Sequence, residues 1–435
     1  MVQKLKEHIA THFSFLKDKK LLIAISGGVD SMVLTHLFAQ LNYTIVLAHC
    51  NFKLRGIDSD ADESFVKSQG KKLGLTTFTT QFDTEKIAKE KKLSVQITAR
   101  ELRYNWFQEL VYDNGLDYIA TAHHADDNLE TFLINLTRKT GLEGLTGIPP
   151  VNNNIIRPLL PFSRDEIEAY AQNNKIEWRE DKSNASTKYL RNKIRHQVVP
   201  VLKEINPNLL NSFQQTLSNL QGCQEIINTS ISKIKKKTFD TSKNGIVKID
   251  ISAFNKLKNP KPYLFELLKT YGFSEWNDVS NLLTAQSGKE VASKTHRLLK
   301  DRETLLLTQL KKIDQEVYFI EKDTNSIKKP LQLNLEYNPT KTTFDVNTIY
   351  IDTAKVKFPL TIRKWKVGDY FYPLGMQGKK KVSKFFKDLK FSAIDKENTW
   401  LLCSTNQIVW VIGHRQDKRF TSNNNNLAIQ VAVAQ

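Results

Sequence analysis

The 435-residue sequence predicts an α/β protein in three parts. A parallel-sheet domain over residues 1–205 leads into a mainly helical middle domain over 206–310, and a polar linker at 311–343 precedes a small basic α+β domain over 344–435. Three observations predict this. From residue 21 onward, short β-rich runs alternate with amphipathic stretches. Pro149, Pro150, Pro158 and Pro161 then interrupt regular structure, and helical periodicity dominates from about 163 to 237. Finally, strand-length apolar runs return near the C-terminus. A chain of this length can bury two or three separate cores.

The expected strands are LLIAIS (21–26), TIVLAH (44–49), TTFTTQF (76–82) and DYIATA (117–122). Between them, MVLTHLFAQL, SDADESFVKSQGKKLG and TARELRYNWFQELVYDNG have helical character, and Leu102, Trp106 and Leu110 recur at helical intervals in the last. Strands alternating with helices imply βαβ units and a parallel sheet. Ligands of such sheets sit beyond the carboxyl ends of the strands. Ser26, His49 and His123 each lie at or just past such an end. The middle domain carries a basic run, KIKKK, at 233–237, and the C-terminal domain is marked by KFPLTIRKW, TWLLCST and QIVWVIG.

The formal charge of +18 and pI near 9.5 favour a polyanionic partner, with nucleic acid the leading candidate. Cys50, Cys223 and Cys403 form no CxxC pair, which argues against a zinc knuckle or disulfide framework. No uninterrupted apolar run has signal-peptide or membrane-span character, so a cytoplasmic protein with no membrane association is expected, and no obligate protein partner is evident.

The segment LLIAI-SGGVDS-MVLTHLFAQL places a glycine-bearing turn between a buried-type strand and an apolar helix. Gly27 and Gly28 let backbone approach a phosphate, while the helix start offers unpaired N–H groups and the positive end of its dipole. Ser26 and Ser31 add hydroxyls, and no Walker lysine is present. A carboxylate beside phosphates needs a cation between them, so Asp30 implies Mg²⁺. Ser26, Gly27, Gly28, Val29, Asp30 and Ser31 are therefore the expected phosphate loop, joined by His49 and His123.

This loop resembles the SGGxDS signature of the PP-loop ATP pyrophosphatases, a resemblance that assigns these residues to ATP. Further segments resemble one branch of them, the tRNA(Ile)-lysidine synthetases: AHCNFKLR (48–55), ARELRY (99–104), TAHHADDNLET (121–131), LTRKTGLEGLTGIPP and RNKIRH (191–196). Phe52 stands where that branch has a second His, and Asn128 where it has Gln. The likeness returns in RKWKVGDYFYPLGMQGKKKVSKFFKD, similar to a C-terminal RNA-binding segment.

The resemblance implies that ATP adenylates the wobble cytidine in the CAU anticodon of tRNA(Ile), with loss of pyrophosphate, and that the ε-amine of free L-lysine then displaces AMP to give lysidine. Such a site must neutralise charge at the α-phosphate and hold a cationic amine. Asp126, Asp127 and Glu130 open an amphipathic helix at spacings that let them converge on one cation. Asp127 and Glu130 are assigned to lysine or metal, and Asp30, Asp127, Glu130 and Arg103 form the expected catalytic set. Acids in a first turn also complement the helix dipole, which is the purely structural alternative. Residues 361–390 hold nine Lys or Arg against two acids. Lys379, Lys380, Lys381 and Lys384, with Arg191 and Arg195, are therefore the expected RNA contacts, whereas most aromatics of that segment are expected in a core. A tRNA-thiolating relative would need paired cysteines, and a small-molecule amidating ligase would not need the basic C-terminal unit.

Overall fold

The computed structural model describes residues 1–138, 140–180, 190–241, 245–310, 316–339, 346–422 and 428–433. They form two compact units, residues 1–229 and 230–435.

The first unit is built on a sheet of order β3-β2-β1-β4-β6-β5. Its strands are β1 (Lys20–Ala24), β2 (Thr44–Asn51), β3 (Thr77–Gln81), β4 (Tyr118–Ala120), β5 (Val151–Asn152) and β6 (Ile155–Ile156). All pairings are parallel except the β5–β6 edge. The helices are α1 (Val2–His12), α2 (Val29–Gln40), α3 (Ile57–Lys72), α4 (Thr84–Lys91), α5 (Val95–Asp113), α6 (Ala125–Leu136), α7 (Leu142–Leu145), α8 (Arg164–Asn173), α9 (Leu190–Lys193), α10 (Val199–Ile205) and α11 (Leu209–Thr238), the last running on into the second unit. Between α9 and α10, Ile194–Val198 forms a π-helical turn, a geometry frequent at functional sites.

The alternation of β1 explains the layering. Leu21 and Ile23 pack with Val33, Leu37 and Phe38 of α2 and Ile167 of α8, while Leu22 packs with Phe107 of α5 on the opposite face. Both faces are buried, as a parallel sheet requires. Each such fully buried aliphatic or aromatic side chain contributes about 1.5–3 kcal/mol. This rigid centre fixes the strand ends from which the site hangs.

In the second unit, β7 (Phe239–Thr241), β8 (Val247–Asp250), β9 (Glu290–Ala292), β10 (His296–Asp301) and β11 (Thr304–Gln309) make a sheet in order β7-β8-β11-β10-β9, covered by α12 (Lys261–Leu268) and α13 (Trp276–Asn281). The middle stretch thus combines its helices with a sheet that helical periodicity did not announce. Residues 311–343, read as a polar linker, contribute β12 (Tyr318–Ile320), β13 (Ser326–Ile327) and β14 (Leu333–Tyr337). With β15 (Thr348–Asp352), β16 (Leu360–Lys364), β17 (Tyr370–Phe371), β18 (Lys380–Lys381), α14 (Val382–Asp388), α15 (Ala393–Asn398), β19 (Trp400–Ser404), β20 (Gln407–Val411), β21 (Arg415–Gln416) and β22 (Ala428–Val433), they complete the C-terminal α+β part. Its sheets run β12-β16-β19-β20-β21 and β13-β14-β22-β15 around Trp410, with β17–β18 a short hairpin. Among the described residues no helix is long and apolar enough to cross a membrane.

Candidate active site

The loop between β1 and α2 is held by its own hydroxyls. The Ser26 amide donates to Ser31 Oγ at 3.2 Å, the Ser31 hydroxyl donates to the Gly28 carbonyl at 2.9 Å, and the Gly28 amide donates to Ser26 Oγ at 3.3 Å. Gly27 has φ +91°, and a Cβ there would meet Phe65 and Val66 of α3 at 3.4 Å. Only glycine takes that backbone without strain. The carbonyl of Gly27 accepts the Arg179 amide at 3.0 Å. Val29 and Ser31 are buried in the first turn of α2, whose amides point toward the loop's concavity.

Three sequence-predicted groups lie in this loop or at the strand ends of the same sheet. His49, buried at the end of β2, donates Nδ1–H to the Ile25 carbonyl at 2.9 Å, and burial keeps its pKa below the ordinary value. It is therefore neutral and helps fix the strand end. His123 lies beyond β4 with Nδ1 2.9 Å from Thr121 Oγ1. Burial, helped by Arg157, Arg191 and Arg100 and opposed by Asp127, lowers its pKa to about 4. Asp30, in the first turn of α2, receives Arg164 Nη1 on Oδ2 at 2.6 Å, while its buried Oδ1 has no hydrogen-bond partner among the described residues. Burial, with a smaller push from Asp127, holds the Asp30 carboxyl above its usual value despite His124 and Arg164. A buried, partnerless carboxylate oxygen at a phosphate loop fits a divalent cation.

The acid cluster at the start of α6 joins this loop through His124. The His124 Nε2 lies 3.8 Å from Asp30 Oδ1 and 3.4 Å from Asp127 Oδ2. Burial opposes its charge, but Asp126, Asp127 and Asp30 together raise its pKa. Burial works against the Asp127 carboxylate as well, yet His124, His123, Arg191 and the His124 amide hold its pKa below the usual range. Glu130 is 1% exposed and takes Arg195 on both oxygens, at 2.6 and 3.0 Å, with Arg191 Nε at 3.3 Å. Even so, burial wins and raises its pKa. Asp126 is committed elsewhere, to Lys203 Nζ at 2.9 Å and the Arg164 amide at 2.8 Å. Asp127 and Glu130 therefore share one guanidinium, since Arg195 also reaches Asp127 Oδ1 at 3.2 Å. A pair of carboxylates spanning one cationic group is a receptor for an ammonium as well as for a guanidinium.

Arg103 and Arg100 do not join this cluster through the ion pairs described. Arg103 lies over the Phe52 ring at 5.2 Å, and Phe52 stacks on Phe82 at 6.0 Å, so Phe52 provides an aromatic seat for this exposed arginine. Arg100 lies over Tyr104 at 4.9 Å. Asn128 Oδ1 accepts the Ile148 amide at 2.7 Å beside Gly147, which pins the glycine-rich turn to α6. Cys50 is half-buried and its thiol is pushed up to about 12 by burial, which leaves no thiolate for nucleophilic work. Arg191 and Arg195, expected to face RNA, both reach Glu130. Sequence reasoning did not single out Arg164 or Lys203, because a cation on an amphipathic helix looks the same whether or not it meets a distant acid.

In the second unit, Lys379, Lys380, Lys381 and Lys384 rim a cavity of about 610 Å³ with Tyr370 and Met376. Lys379 Nζ sits 5.3 Å from the Tyr370 ring centre, whereas Lys380 pairs with Asp388 at 2.7 Å. Phe371, Phe385 and Phe386 are core residues.

Residues 1–202 match the family model described as a PP-loop domain, 242–310 that of the TilS substrate binding domain, and 360–433 that of the TilS substrate C-terminal domain. A protein of Parabacteroides distasonis named tRNA(Ile)-lysidine synthase is 39% identical over 426 residues, spanning 97% of this chain and 96% of the relative. Its namesake in Bacteroides thetaiotaomicron is 39% identical over 427 residues, spanning 96% of each. The one in Bacillus subtilis is 30% identical over 441 residues, spanning 95% of this chain and 93% of the relative.

Proposed function

We propose, starting from the fact that this chain belongs to the tRNA(Ile)-lysidine synthase family, that it joins free L-lysine to the wobble cytidine of a CAU-anticodon tRNA(Ile) at the expense of ATP. ATP is cleaved between its α- and β-phosphates and the cytidine oxygen is adenylated. The lysine ε-amine, once its ammonium has given up a proton, bonds to the ring carbon as the bond from that carbon to the adenylated oxygen breaks and AMP leaves with that oxygen. The products are lysidine, AMP and pyrophosphate, and codon reading passes from Met to Ile.

The observation that carries this reading is the convergence of the phosphate loop and the acid pair beyond the carboxyl ends of the adjacent strands β1 and β4, with His124 within 3.8 Å of Asp30 and 3.4 Å of Asp127. The loop seats the triphosphate and the acid pair seats the lysine ammonium, so nucleophile and activated base meet in one place. Asp30 would hold Mg²⁺, which when bound neutralises charge on the phosphates. Asp127 and Glu130 accept the ammonium in exchange for Arg195, whose guanidinium they already bind as a cation. Arg103 faces solvent on α5 and serves the RNA or the α-phosphate. Lys379, Lys381 and Lys384 track RNA phosphates, as the charge density of their segment supports. A tRNA substrate supports the expected cytoplasmic location.

Incubation with labelled lysine, ATP, Mg²⁺ and a CAU-anticodon tRNA(Ile) transcript tests the proposal. Label is expected in the RNA only when ATP is present. Label with no ATP requirement, or ATP-dependent lysine transfer in the absence of RNA, would refute it.

A further inference from the structure

The loop Ser26 to Ser31 carries no basic side chain, and its one ionisable group is the Asp30 carboxylate. Yet adenylation expels an anion. As the new bond from the cytidine oxygen to the α-phosphorus forms, the bond from that phosphorus to the bridging oxygen breaks, and its electron pair leaves with pyrophosphate. A fixed cation aimed at the departing oxygens is an effective way to lower that barrier. In the more familiar phosphate cradles a lysine of the loop itself supplies it.

Here a cation arrives from α8. Arg164 is the first residue of that helix, and Ser163 caps it with a reciprocal Ser163–Glu166 pairing. The Arg164 backbone amide is anchored on Asp126 Oδ2 at 2.8 Å, and its Nε on Glu168 at 2.6 Å. Its Nη1 then meets Asp30 of the loop, in the first turn of α2, at 2.6 Å, while 37% of the side chain stays open to solvent. Arg179 also reaches the loop, but only through its backbone amide, because its guanidinium is committed to Asp62 at 2.5 Å.

We propose that Arg164 is the leaving-group cation of this site, a catalytic residue whose guanidinium contacts the β- and γ-phosphates of bound ATP and neutralises pyrophosphate as it departs. The inference rests on the adenylating function proposed above. Arg164 already holds an anionic oxygen, that of Asp30, at the mouth of the loop, so its planar fork is held ready for an anion. Asp126 anchors the Arg164 backbone and Glu168 takes the Nε edge of the guanidinium, which leaves the Nη end directed at the loop.

The test uses the full-length protein and its Arg164→Gln and Arg164→Lys variants. Binding of magnesium pyrophosphate is measured by calorimetry, and RNA-dependent pyrophosphate release in a single turnover. The expected result for Arg164→Gln is pyrophosphate binding at least tenfold weaker and release about 100-fold slower, with lysine KM within twofold of wild type; Arg164→Lys recovers part of both. A purely structural role would lower the melting temperature and leave pyrophosphate affinity intact, and that result overturns the proposal. Should the Gln variant not fold, the Lys variant decides: pyrophosphate binding weakened three- to tenfold supports the assignment, and parity with wild type overturns it. A wild type that releases no pyrophosphate with RNA would instead refute the adenylating function, which the binding arm reads separately.

Discussion

Replacing Arg195 with Ala removes the two hydrogen bonds, at 2.6 and 3.0 Å, that reach a Glu130 carboxylate only 1% exposed. Removing one partner of a buried ion pair costs about 3–5 kcal/mol, because the other charge is stranded away from water. Two features reduce that here. Arg191 remains 3.3 Å away, and burial already raises the Glu130 pKa, so protonation offers an escape. A net loss of about 2–3 kcal/mol at pH 8 follows. Its pH dependence has a definite sign. A carboxyl whose folded pKa lies above its unfolded value binds protons preferentially in the folded state, so stability rises as pH falls through that window. Losing Arg195 raises the folded pKa further, so the deficit must shrink on acidification and be smallest below about pH 4.3, the unfolded value. Hydrogen exchange of α6 peptides across a urea series at pH 8 and pH 5 measures this locally, without requiring the two units to unfold together. A deficit under about 0.5 kcal/mol at pH 8, or one that grows toward pH 5, would refute the buried-pair reasoning.

Further outcomes follow from the same geometry. Asp30→Asn should abolish adenylation while leaving stability unchanged or slightly higher, since burial already disfavours the charge; a melting temperature lowered by several degrees would contradict this. His123, with a folded pKa of about 4 against about 6.5 unfolded, should lower stability as pH falls between those values, and His123→Asn should flatten that slope in pH-dependent melting curves. Gly27→Ala should cost about 1–3 kcal/mol and weaken ATP binding, because φ is +91° and α3 lies 3.4 Å from the new methyl. Changing Lys379, Lys381 and Lys384 to Ala should weaken RNA binding and reduce its salt slope by about 1 for each phosphate no longer neutralised, while Lys380→Ala, whose charge is shared with Asp388, should do less.

What the sequence disclosed depended on how local each feature is. The strand–turn–helix of the β1–α2 loop was legible because its parts are contiguous, and so was the convergence of Asp127 and Glu130 on one cation, which one helix turn dictates. The cations that complete the site were not: Arg164 lies 134 residues from Asp30, and Arg195 65 from Glu130, separations across which no pattern rule acts. The sheet of the middle stretch was also hidden. Its β10–β11 hairpin turns through Arg302 at φ +50°, where glycine or asparagine would have marked the turn, and its leucine-rich strands read equally well as helix. Strands β12 to β14 are only two to five residues long and lie in polar sequence, too short for alternation to register. The departures at Phe52 and Asn128 became interpretable only with their neighbours in view, the first as a seat for Arg103, the second as a clamp on the Gly147 turn.

On the proposed function, the carboxyl ends of β1 and β4 serve two separable steps, activation at the loop and lysine capture at the acid pair. The direct measurement is a paired assay of RNA-dependent pyrophosphate release and lysine incorporation in the wild type, Asp30→Ala and Asp127→Ala. Asp30→Ala is expected to lose both activities, whereas Asp127→Ala should still release pyrophosphate but incorporate lysine about 100-fold more slowly or worse. An Asp127→Ala protein that incorporates lysine normally, or an Asp30→Ala protein that still releases pyrophosphate, would contradict it.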